Sequence, residues 1–162
     1  MKEKKAAFSL VEMILIVAFI SIFAVIAVPR LNFAIISKQK ADTVARKIVT
    51  DLRLVRRLAI SDAANNTKGF ELRFDGPGGS GGRTSYEIVD RGTTPATVVA
   101  DHTIDSDVNV WADKKTSRFG PLGNLLQSPS GGFPSQITVS AEGRSFSITF
   151  NSTTGTVKCV EN

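Results

Sequence analysis

Few side chains in this sequence have both the type and the spacing that chemistry requires. Gly76-Pro77-Gly78-Gly79-Ser80-Gly81 satisfies the dinucleotide pattern G-x-G-x-x-G, and Gly78 to Gly82 satisfies the nucleophile-elbow pattern G-x-S-x-G. Both chemistries need a helix that opens at the loop, so that its N-terminus meets phosphate or its turn exposes the nucleophile. Arg83 instead leads into Thr84–Val89, whose alternation is that of a strand, and glycine density accounts for both matches. Asp105-Ser106-Asp107-Val108-Asn109 begins like a calcium loop, but Val110 stands where the loop needs Gly and Thr116 where it needs Glu. An EF-hand is excluded; a different calcium site near Asp101, Asp105 and Asp107 stays open beside a solvated acidic turn. His102 is the only histidine, so neither a histidine-based triad nor a multi-histidine metal site can be assembled. Cys159 is the only cysteine, which rules out an internal disulfide, and its place in a strand suits a small buried apolar group. No catalytic residue, metal ligand or cofactor is expected, and the chain reads as a non-enzyme.

Glu12 poses a sharper question. Phe8 to Val28 reads FSLVEMILIVAFISIFAVIAV, and Glu12 is its only charge. A helix over this run would rise roughly 32 Å, close to the thickness of a bilayer's hydrocarbon core, so the spacing predicts a transmembrane helix over 8–28. A carboxylate at mid-membrane costs on the order of 2.5–3.5 kcal/mol, and one near the end of the run lowers that cost by snorkelling. Lys2, Lys4 and Lys5 precede the run and hold residues 1–7 in the cytoplasm by the positive-inside rule. A secretory signal peptide cleaved after Ala27 is the competing reading, against which stand the length of the run and Glu12.

Ala7-Phe8-Ser9-Leu10-Val11-Glu12, a long apolar run and Pro29 just beyond it resemble the class III signal of type IV pilins and type II secretion pseudopilins. The resemblance implies that a prepilin peptidase removes the leader 1–7 at the Ala7–Phe8 bond and methylates the new amino terminus on Phe8. The family usually has Gly before the cut; this chain has Ala7. Cleavage frees a cationic amine with an ordinary pKa of about 7.7–8.0, and the resemblance implies that Glu12 pairs with the Phe8 amine of a neighbouring subunit during assembly. In a low-dielectric helix bundle such a pair selects register, because either charge left alone is costly.

Pro29 is expected to kink the helix rather than end it. Beyond it, Ala41, Val44, Ala45, Ile48, Leu52, Val55 and Ala59 recur at helical spacing, so one stem helix is predicted from Phe8 to Ala64, with 29–66 its amphipathic continuation. Residues 67–162 read as a β-rich globular domain. Strands are predicted at Phe70–Phe74, Thr84–Val89, Thr97–Ile104, Val108–Ala112, Ile137–Ser140, Ser145–Phe150 and Thr156–Val160, with Asp113–Ser135 a long loop. The predicted class is α+β: a long N-terminal stem helix, transmembrane then amphipathic, packed on an antiparallel sheet or sandwich-like domain.

Asp51 to Asn65, DLRLVRRLAISDAAN, then Arg118–Asn124, RFGPLGN, then ITVSAEGRSFSITFNSTTGTVKCV from Ile137 are similar to the minor pseudopilin H and minor pilin T families. The matching pieces, Arg57-Leu58-Ala59-Ile60 and Phe119-Gly120-Pro121-Leu122-Gly123, are loosely spaced. This similarity implies a type II secretion subunit in the bacterial inner membrane. It would be single-pass with a periplasmic C-terminal domain, and would later enter a pseudopilus. A type IV pilus minor pilin is the alternative. The implied partners are the prepilin peptidase, other pilin or pseudopilin subunits, the inner-membrane assembly platform and the membrane. The arginines Arg53, Arg56 and Arg57 raise DNA as a partner, but a solvated helix face, or pairing with Asp51 and Asp62, explains them, and nucleic acid is not expected.

Overall fold

Among the described residues Phe33–Ser61 forms the longest helix, because strong helix formers fill it and its apolar residues return every three or four positions. The structure, a computed structural model, describes residues 9–27, 33–77 and 82–162. The chain divides into two units, Met1–Phe33 and Ala34–Asn162. The first holds helix α1, Leu10–Ala27, which is apolar on every side and so has no inward face. Helix α2, Phe33–Ser61, leads the second unit and is followed by strands β1 to β9.

Two expectations are corrected. Among the described residues there is no single stem helix from Phe8 to Ala64 packed on a domain, since the helical residues form two helices, α1 and α2. Pro29, and the kink expected there, lie outside the described residues. Among the described residues no helix is long and apolar enough to cross a membrane. The transmembrane helix over 8–28 is overturned, and with it the single-pass location in an inner membrane with a periplasmic C-terminal domain.

In the second unit the strands form two antiparallel sheets. The first has the order β3 (Thr97–Thr103), β2 (Ser85–Asp90), β1 (Phe70–Asp75), β5 (Thr116–Phe119), β6 (Leu125–Leu126). The second has the order β4 (Asn109–Ala112), β7 (Gln136–Ala141), β8 (Arg144–Phe150), β9 (Val157–Glu161). Alternation decides which face each sheet buries. Phe70, Leu72 and Phe74 of β1 share a face with Ile88 and Tyr86, their partners on β2, and all five are buried. On the second sheet Val110, Ile137, Val139, Phe146 and Ile148 are buried in the same way. Both sheets join Ala41, Ala45, Ile48, Leu52, Val55 and Ala59 of α2 in one core cluster. Each large side chain fully buried there contributes about 1.5–3 kcal/mol.

Strands β5 and β6 lie inside the stretch expected to be a loop. Thr116–Phe119 has little strand signature of its own, yet it fills the free edge of β1, pairing Phe119 with Phe70 and Ser117 with Leu72. Tertiary pairing overrides local propensity there. The β8–β9 turn is built on Asn151, whose Oδ1 accepts the amides of Thr153 and Thr154 at 3.1 and 3.0 Å. Gly155 closes the turn at φ +66°, and a Cβ on it would collide with the Gly123 carbonyl. Gly155→Ala should therefore destabilise the second unit by about 1–3 kcal/mol, read from denaturant unfolding.

Candidate functional site

Two regions hold the groups that could act, one in each unit. In α1 every side chain described from Leu10 to Val25 is exposed, including Leu10 at 75% and Phe23 at 68%. Ser21 donates to the Val17 carbonyl at 2.8 Å, so the hydroxyl is satisfied within the helix. Glu12 stands in the first turn and is the only charged residue of the α1 sequence. Ala7 and Phe8, the residues expected at a processing site, lie outside the described residues, so the structure places Glu12 but not its expected partner.

The second unit contains a polar cluster, buried at Asp51 and Tyr86, that sequence reading missed. The Tyr86 hydroxyl, 2% exposed as a residue, donates to Asp51 Oδ2 at 2.7 Å. His102 Nε2 lies 3.5 Å from the same oxygen. Lys47 Nζ is 3.1 Å from His102 Nδ1. An ammonium can only donate, so Nδ1 accepts and the imidazole proton sits on Nε2, towards Asp51. Burial, then the Asp51 carboxylate, push the Tyr86 phenol far above its ordinary value. The Tyr86 ring also packs against Phe74 and His102, at centroid distances of 5.8 and 5.1 Å. The cluster joins α2 to β2 and β3. Its one sequence signal was Asp51, an acid three positions after Ile48 and beside Leu52, where the apolar stripe would exclude an unpaired charge.

The remaining candidates have structural partners. Asp107 accepts from Lys40 at 2.8 Å and Asp105 lies 3.7 Å from it, so a cation of the chain itself occupies the acidic turn. Among the described residues no group of three or more His, Cys, Asp or Glu is placed to hold a metal ion. The hydrogen bond from Lys40 holds the Asp107 carboxyl below its ordinary range and raises Lys40 in return. The glycine-rich stretch joins β1 to β2, strand to strand, with 78–81 outside the described residues. The Cys159 thiol is half-buried, and burial raises its pKa, the opposite of what a nucleophile needs. The chain matches no family model, no curated protein and no solved structure.

Tyr86→Phe removes the donor on a buried carboxylate and should cost about 1–3 kcal/mol in unfolding free energy. Lys40→Ala should move the Asp107 titration, followed by NMR, up towards the ordinary aspartate value. The sign follows from the depressed pKa: the stabilisation is present above the unfolded-state pKa and is lost as pH falls through the folded one. The variant should accordingly lose part of its acid-side pH dependence of stability.

Proposed function

We propose that this chain is a non-enzymatic structural subunit of a filament built by packing N-terminal helices, of the minor pseudopilin kind that serves type II protein secretion. The observation that carries the reading is α1: an apolar helix exposed on all sides, with one carboxylate in its first turn. Apolar surface on that scale marks an interaction site. Helices of neighbouring subunits are suitable cover, because they bury all sides of α1 at once. Each Å² removed from water is worth about 25 cal/mol.

Glu12 then requires a cation inside the bundle. The amine freed at Phe8 by a prepilin peptidase supplies one, on a neighbouring subunit offset along the stack. The pair adds little net stability but penalises every register in which either charge is left alone. The second unit, with its own core, selects which subunits stand beside it.

Glu12→Ala should fold normally in the second unit but enter filaments about tenfold less efficiently, since it leaves the Phe8 amine unpaired. The measurement is the ratio of assembled to unassembled chain in sheared filament preparations, with Ser21→Ala as a control that assembles normally. Mass spectrometry of the assembled chain should find a methylated Phe8 at its start. Normal incorporation of Glu12→Ala would sink the proposal.

A further inference from the structure

Strand β9 ends the second sheet, pairing with β8 alone. The amide of Asn162 donates to the Ser145 carbonyl at 3.0 Å, which fixes the phase of the ladder. In an antiparallel pair, alternate residues turn both backbone groups towards the partner. Val160 and Lys158 therefore follow Asn162 in facing β8, whereas Val157, Cys159 and Glu161 turn their N–H and C=O outwards. Among the described residues no backbone group pairs with that outward edge.

The edge borders two adjoining grooves along α2. One, of about 430 Å³, is lined by Arg46, Val49, Thr50 and Arg53 on the helix and by Val157, Lys158 and Cys159 on the strand. The next, of about 300 Å³, shares Arg53 and Val157 and adds Arg56, Arg57, Gly155 and Thr156. No carboxylate lines either. Arg46, Thr50, Arg53 and Arg57 follow one another at steps of four, three and four, the spacing of one helix flank. That flank rises about 16 Å, and the five residues of β9 extend about 16 Å. Arg46 is held by Asp42 at 2.9 Å and Arg56 donates to the Gly123 carbonyl at 2.9 Å. Arg53, Arg57 and Lys158 make no ion pair among the described residues.

We propose that this edge is a docking site for an extended acidic segment of another protein, which adds to the second sheet beside β9. Its backbone would pair with Val157, Cys159 and Glu161. Its alternate side chains, about 7 Å apart along the strand, would point to the helix flank. Carboxylates at those positions meet Arg53 and Arg57. Main-chain hydrogen bonds give such a site its affinity and the side-chain row gives its selectivity. The free amides favour a peptide over a nucleic acid, since a phosphate backbone would use the arginines but leave a strand edge unpaired. The inference does not depend on the filament reading.

The test uses the full chain and a short blocked peptide alternating Glu and Val. Binding by the peptide, with slowed hydrogen exchange at the Cys159 and Glu161 amides and unchanged exchange at Lys158 and Val160, is the expected result. The Arg53→Glu, Arg57→Glu double variant should weaken binding about tenfold. A Lys-for-Glu peptide, and one N-methylated on alternate amides, should both fail. Cys159→Pro removes an outward N–H and should also abolish binding; if it does not fold, the exchange pattern and the arginine variant decide the matter. Equal binding of the N-methylated peptide, unchanged exchange, or capture of a thymidine oligonucleotide in place of the peptide would overturn the proposal.

Discussion

Burial of the α2 stripe is the constraint on which the second unit depends. Two sheets each expose one apolar face, and neither can hide that face within itself. Ala41, Ala45, Ile48, Leu52, Val55 and Ala59 give both sheets a common surface, and the three alanines let the backbone of the helix approach closely. Once the helix is fixed there, its two flanks acquire different neighbours. Lys40, Lys47 and Asp51 reach the β3 side, where they meet Asp107, His102 and Tyr86. Arg46, Arg53 and Arg56 border the β9 side.

The polar cluster around Asp51 follows from that arrangement. An acid so close to the stripe is tolerable only with donors supplied by the sheet, and Tyr86 and His102 come from adjacent strands in register, Tyr86 opposite His102. A hydrogen-bonded carboxylate of this kind contributes less to net stability than to specificity. If β2 slipped by one residue, Tyr86 would turn to the other face and leave Asp51 buried alone.

The stripe on α2 was legible in the sequence because its period is strong, and strands β1, β2, β7 and β8 were legible because they alternate. Strands β5 and β6 were not. Thr116–Phe119 gains its strand character from the edge of β1, a partner more than forty residues earlier in the chain. The reading failed most clearly at the helices. Uniform apolarity before position 29 and helical periodicity after it were read as one continuous stem, whereas the described residues form two helices. The Asp51 cluster was not read from the sequence, because its partners lie 35 and 51 positions away and no local pattern names them. Glu12 was visible at once, being the lone charge in its run.

The order in which the core residues occur along the chain has a consequence for synthesis. The stripe on α2 is made first, whereas Phe146 and Ile148, which help to cover it, are made close to the end. Strand β4 likewise waits for β7 before it has a neighbour. At about 5–20 residues per second, the interval between Leu52 and Ile148 lasts roughly 5 to 20 seconds. Throughout it the nascent helix carries an apolar flank without its final cover, beside a row of arginines that keeps the opposite side hydrated. The use of alanine at three stripe positions reduces how much adhesive surface is exposed in that interval. The composition of the stripe thus bears on survival during translation as well as on packing after it.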